Sequence, residues 1–257
     1  MNHPIVFRKS ESIPLRTPGL PADTIHIWAT RLDADRPSEP GTLVILGAQE
    51  RQRADRFRFD RDRGRFVSSH VFLRRILGAY LGIGPEAVEF DYGAQGKPAL
   101  RDGCGHLRLQ FSLAHSAELT VIAIGWEPMG IDVEKVRRIE DCESLARRHF
   151  SRREQEALLV LPAELRYRAF YACWTRREAV LKAGGTGLSA LCSLHDVEFD
   201  LDAGVHRVRM QDEGASKTDW IVADLEPCED AVGAVAVPQT IRMVAATFVD
   251  QSDLPAR

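Results

Sequence analysis

The apolar and polar positions change period several times along the chain. TIHIWATRL, starting at Thr24, alternates and predicts a strand. It sits in a loop-rich opening that carries Pro4, Pro14, Pro18, Pro21, Pro37 and Pro40. From Gly47 to about Gly82 the period becomes helical. Phe66, Val67, Val71, Leu73, Ile76, Leu77 and Leu81 recur near helical spacing, and GIG ends the run. AVEFDY, LRLQFSLAHS and LTVIAIGW then read as short strands, followed by a connection at 126–129 and a further strand, GIDVEKV. Three helices are expected next. EDCESLARRHF is the first, and SRREQEALLVL opens with Ser151 and Glu154 at capping-box spacing. LPAELRYRAFYACWTRREAVLKAGG is long and stops at Gly184 and Gly185. DVEFDL, VHRVRM, WIVADL, AVGAVAV and IRMVAATF return to strand character.

Strand, helix and strands thus occur twice in the same order. This predicts an α+β fold, a pseudo-twofold pair of similar lobes, each a small antiparallel sheet packed with helices. The boundary is expected near residue 126, giving an N-terminal lobe over 1–125 and a C-terminal lobe over 126–257. The repeat is one of layout; the two halves share no visible sequence.

Composition narrows the function classes. The chain has 257 residues, 44% of them hydrophobic, and a formal net charge of -3. Total charge therefore gives no reason to expect nucleic acid as a partner. No stretch approaches the roughly 18 apolar residues of a membrane span, and MNHPIVFRKSESIP lacks the apolar core of a signal peptide. Cys104, Cys142, Cys173, Cys192 and Cys228 are scattered without a C-x-x-C, which argues against zinc and against a disulfide framework. A cytoplasmic monomer without membrane contact is the expectation.

Within GIDVEKV, Asp132 and Glu134 share one face of a strand. Like charges placed so repel each other and resist desolvation. Either the strand is a wet edge, or a cation sits over both acids. In WTRREAVLKAGG, Glu178 and Lys182 are i,i+4 on a helix. That pair alone reads as an ordinary surface ion pair. ERQRADRFRFDRDRGRFV is dense in arginine but balanced by Asp55, Asp60 and Asp62, which suits a solvated helix face. GGTGLSAL is not a phosphate loop, because no G-K-S/T follows its glycines.

The combination is more specific than its parts. GID-x-E is followed some forty residues later by W-x-x-R-E-A-x-x-K-A-x-G, and preceded by GKPAL and FSLAHS. These four motifs, in this order over about residues 50–195, resemble the 4'-phosphopantetheinyl transferase family, in particular its large two-lobed, surfactin-synthetase-activating type. The resemblance implies transfer of the 4'-phosphopantetheine arm of coenzyme A to a serine of an apo carrier protein, with release of 3',5'-ADP. It implies Mg2+, or Mn2+ in its place, held by Asp132, Glu134 and Glu178. Glu178 is then the first choice for the base. Glu154 is a second catalytic candidate, although its capping box with Ser151 is the preferred explanation. Lys182 matches a lysine that touches the phosphates, and Arg177 stands beside it where the family usually has lysine. Lys97 and Pro98 of GKP match residues near the nucleotide, and His115 matches a histidine on the 3'-phosphate. Arg65 matches an arginine at the nucleotide end, with Arg51 and Arg53 as neighbours. Ala114 and Ser112 replace a usual serine and asparagine, and the first of these changes suggests one lost hydroxyl contact. The carrier could be of acyl, peptidyl or polyketide type. Two rival readings remain: a Mg2+-dependent phosphohydrolase of coenzyme A-like pyrophosphates, and a non-catalytic module binding coenzyme A or a carrier protein.

Overall fold

The computed structural model describes residues 3–10, 19–32, 42–93, 96–102, 108–185, 199–211 and 217–249. In chain order, β1 (Ile5–Val6), β2 (Arg8–Ser10) and β3 (Thr24–Arg31) precede α1 (Thr42–Ile45), α2 (Ala48–Ala54) and α3 (Asp60–Leu81). The strands β4 (Phe90–Tyr92), β5 (Pro98–Leu100), β6 (Gln110–Ser116), β7 (Leu119–Gly125) and β8 (Gly130–Lys135) follow. Next come α4 (Cys142–His149), α5 (Arg152–Leu159) and α6 (Ala163–Gly184). The last strands are β9 (Val205–Gln211), β10 (Lys217–Glu226), β11 (Ala231–Pro238) and β12 (Met243–Val249). The helix expected over Gly47–Gly82 is thus two helices, broken at 55–59. Most of the expected strand DVEFDL lies outside the described residues, and 199–201 is not strand.

One sheet runs β2-β12-β3-β7-β6 and the other β1-β10-β11-β8, with β9 also on β10. Strand alternation explains how they stack. Ile25, Ile27, Val121 and Ala123 of the first sheet meet Ile131, Val133, Leu225 and Val235 of the second in one core. The opposite faces carry Trp28, Ile122 and Ile124, which pack on Phe72, Leu73 and Ile76 of α3. Val222, Ala234 and Ala236 pack on Val180 and Leu181 of α6. Period-two strands buried on both faces thus give four layers, helix, sheet, sheet and helix, each large apolar side chain contributing about 1.5–3 kcal/mol.

The chain ends cross between the sheets. β12 pairs in parallel with β2 and β3, and β1 pairs in parallel with β10. The sheets are therefore antiparallel at their centres and parallel where the ends join. A cut at 125/126 separates most of each sheet but not these two exchanged strands.

The twofold repeat has a residue-level signature. α3 and α6 are each 22 residues long, and each ends on a glycine in the left-handed region, Gly82 at φ 69° and Gly185 at φ 70°. The fifteenth residue of each is a buried arginine, Arg74 or Arg177. Each arginine is bound by a buried glutamate at the start of the preceding short helix, Glu50 or Glu154. Neither glutamate–arginine spacing is visible as a sequence motif, because the partners are 24 and 23 residues apart.

Candidate active site

β8 and α6 build the acidic half of the site, and Gly130 lets them meet. A Cβ at Gly130 would lie 1.9 Å from the carbonyl oxygen of Ala179. Past this contact, Ile131 and Val133 enter the core, so alternation turns Asp132 and Glu134 toward α6. α6 answers with Glu178 and, one turn on, Lys182, whose Nζ lies 2.6 Å from Asp132 Oδ1. The pair Glu178 and Lys182 is therefore no surface ion pair, since the lysine turns to the strand.

β8 is an edge of its ladder but is not wet. Asp132 is only 7% exposed. Hydroxyls from β6 cover the free edge: Ser112 Oγ accepts from Ile131 N and Ser116 Oγ from Lys135 N, both at 3.1 Å. Ser116 Oγ also donates to Glu134 Oε2 at 2.5 Å. Burial is the main force raising the pKa of all three acids. Glu178 is pushed up to about 7, with the charges of Asp132 and Glu134 adding to the rise. Asp132 Oδ2 and Glu178 Oε1 are buried without a hydrogen-bond partner.

The donors fit a hard divalent cation: three carboxylates, two with orphaned oxygens, and no sulfur or imidazole among them. Among the described residues, no three acids are closed around a point that a metal could occupy. The Lys182 ammonium instead supplies the positive charge that Asp132 requires.

A cavity of about 690 Å³ opens beside Glu178, between the two long helices. Glu178 and Lys182 of α6, Arg53 of α2, His70 of α3, His115 of β6 and the pair Lys97 and Pro98 line it, whereas Asp132 and Glu134 do not. An adjoining cavity of about 540 Å³ shares Arg53 and Tyr92 with it. Together they have the size and mixed lining of a small-molecule site. The Lys97 ammonium donates to the carbonyl oxygens of Lys182 and Met129, closing the C-terminal end of α6 against β8. Its pKa is lowered, first by burial and then by the charge of Lys182. His115 opens to the cavity from β6. Its pKa is lowered by the enclosing walls and by the charges of His70, Lys182, Arg53 and Arg65. With Arg53, Arg65 and Lys182 acting on it, the cleft around His115 attracts anions. Arg53 lies over the Phe66 ring at 5.4 Å from its centroid.

Some expected residues stand elsewhere. Arg177 is fully buried and grips Glu154 with two hydrogen bonds of 2.9 and 2.6 Å. Glu154 also takes N–H groups from Ser151, completing the capping box, and from Phe199. Both are tied inside the C-terminal lobe and neither lines the cavity. The pair holds α5 and α6 together. Arg51 likewise donates to the carbonyls of Leu46 and Leu43 and does not line the cavity. Arg65 pairs with Asp62 at 3.8 Å and reaches the cavity only through its field on His115. Ala114 points into the core between the sheets, so a hydroxyl there would not reach the cleft. Sequence reasoning missed Ser116, Gly130 and His70. Gly130 opens GID-x-E and Ser116 closes FSLAHS, so both stood inside quoted motifs without an assigned role; no pattern marked His70.

Comparison with known proteins gives a consistent result. Residues 128–236 match the family described as the 4'-phosphopantetheinyl transferase superfamily, and residues 39–127 match one described as 4'-phosphopantetheinyl transferase, N-terminal. The chain is 38% identical to the 4'-phosphopantetheinyl transferase HetI of Nostoc sp. (strain PCC 7120), over 84% of this chain and 88% of that one. It is 33% identical to the transferase psf-1 of Bacillus pumilus, over 56% and 60% of the two chains. Sfp of Bacillus subtilis (strain 168) is 26% identical over 63% and 70%. Among the described residues, no helix is long and apolar enough to cross a membrane.

Proposed function

The chain belongs to the 4'-phosphopantetheinyl transferase superfamily, and from that premise we propose that it moves the phosphopantetheine arm of coenzyme A onto a serine of an apo carrier protein, releasing 3',5'-ADP. The observation that carries this reading is the pair of orphaned carboxylate oxygens, Asp132 Oδ2 and Glu178 Oε1, beside a cleft that Glu178 lines together with Lys182, Lys97, His115 and Arg53. A pyrophosphate with a nucleotide attached suits that mixture of an acid and several basic groups. Asp132, Glu134 and Glu178 are the residues that would hold Mg2+, or Mn2+ in its place. Bound there, the ion supplies charge neutralisation and orientation for the pyrophosphate oxygens.

The chain's own groups do the rest. Lys182 exchanges Asp132 for a phosphate oxygen, a move of one flexible side chain between two anions. His115, with Arg53 nearby, receives the 3'-phosphate, and Lys97 and Pro98 border the nucleotide. The serine hydroxyl attacks phosphorus and must lose its proton. Glu178 is the group we place to take that proton, directly or through one water. The protein acts as a cytoplasmic monomer, and the carrier meets the open side of the same cleft.

Chromatography of the small-molecule products tests the reading. Transfer predicts 3',5'-ADP in equal amount to holo carrier, and none without carrier. Free phosphopantetheine formed without a carrier would contradict transfer and favour hydrolysis.

A further inference from the structure

We propose that His70 is a second histidine of the anion-binding wall, fixed by Glu50 and placed to meet a phosphate of the nucleotide half. The inference rests on the coenzyme A reading above. Its basis is the buried cluster between α2 and α3. Glu50 is 2% exposed, and its Oε1 lies 2.7 Å from His70 Nδ1. Its Oε2 accepts from Arg74 Nε and from Gly47 N, each at 2.7 Å. Burial works against the charge on Glu50, yet hydrogen bonds from His70 and Arg74 hold its carboxyl below the ordinary value. The His70 ring is further clamped by Phe66, with centroids 4.1 Å apart. With Nδ1 committed to Glu50, the opposite edge of the ring, carrying Nε2, is the edge directed at the cleft that His70 lines.

The internal repeat argues that this is more than scaffolding. Glu154 and Arg177 repeat Glu50 and Arg74, but the eleventh residue of α6 is Cys173 where α3 has His70. The second lobe therefore completes the same clamp without a histidine, filling Glu154 Oε1 with Arg177 and Phe199 N–H groups. The extra ring occurs only in the lobe where it lines the cleft.

An imidazole that donates from both ring nitrogens joins Glu50 on one side to a phosphate oxygen on the other. Arg53 from α2, Arg65 and Arg74 from α3, His115 from β6 and Lys182 from α6 are the charged and titratable groups around the same wall. Tyr92 from β4, Lys97 ahead of β5 and Glu178 on α6 complete the titratable groups facing the cavity.

Calorimetric titration of the whole protein with 3',5'-ADP measures the affinity. His70→Asn keeps an amide for Glu50 and removes the ring nitrogen left for the cleft. We expect it to bind 3',5'-ADP about tenfold more weakly, the size of a lost charge-assisted hydrogen bond. Its affinity for 4'-phosphopantetheine, which has no nucleotide, should match that of the wild type. Unchanged affinity for 3',5'-ADP would overturn the inference while leaving the coenzyme A reading intact. A wild type that binds no 3',5'-ADP would overturn both. Nitrogen NMR of the wild-type imidazoles needs no variant. The His70 Nε2 signal should shift on saturation, and His70 signals that stay fixed while those of His115 move would also overturn it.

Discussion

Glu178 holds a carboxyl pushed up to about 7 from an ordinary 4.5, chiefly by burial, so the folded protein keeps a proton that the unfolded chain gives up. Its contribution to stability is therefore fully present below the ordinary value and is lost as pH rises through about 7. Glu178→Gln removes the charge that must be buried above that range. We expect the metal-free variant to melt ~3 °C or more above wild type at about pH 8, with the gap closing at about pH 5, by calorimetry. A gap independent of pH would contradict the assignment. The spacing of GID-x-E revealed the shared face of Asp132 and Glu134 because a period of two is a local property. It could not reveal that Lys182 binds Asp132 at 2.6 Å, because that contact depends on how α6 crosses β8. Lys182→Ala should lower kcat/KM markedly, and an unchanged value would return this lysine to a structural part.

Contacts between elements decide which conspicuous residues are structural. Gly130 sits where a methyl group would strike the Ala179 carbonyl. Gly130→Ala must push β8 from α6, and we expect a loss of about 2–4 kcal/mol in urea unfolding together with loss of transfer. Unchanged stability would mean that the close approach is dispensable. Glu154 tests the opposite case. Glu154→Ala leaves Arg177 buried without its carboxylate, a loss of about 3–5 kcal/mol. The folded fraction at low temperature should keep near-normal kcat, whereas a catalytic Glu154 would lose kcat at full folding. Helix positions were legible from apolar periodicity, as α6 starts within two residues of its expected start. The glutamate–arginine clamps were not, because a bond across 23 residues leaves no period. The capping box read from sequence at Ser151 and Glu154 is present as two reciprocal hydrogen bonds.

For the whole molecule, the exchanged strands matter most. β12 finishes the sheet begun by the N-terminal half, and β1 borders the sheet of the C-terminal half. With Ile27, Val121, Ile131 and Val235 also sharing one core, neither half can unfold and leave the other complete. We expect a single calorimetric transition, and two separated transitions would contradict the shared core. The two-lobed layout was legible because strand and helix periods recur in the same order. The exchange was not, since nothing in IRMVAATF states which sheet it will join. Four layers bring α3 and α6 to one cleft, where Glu178 meets Lys182, Lys97, His115 and Arg53, and the proposed transfer depends on that meeting. The most direct test is intact mass spectrometry of an apo acyl carrier protein after incubation with coenzyme A, Mg2+ and this protein, run beside Asp132→Ala and beside a chelator control. The account predicts a gain of one phosphopantetheine with the wild type alone, lost in the variant and lost on chelation. The same gain with Asp132→Ala, or in the presence of chelator, would contradict a transfer that runs through these three acids.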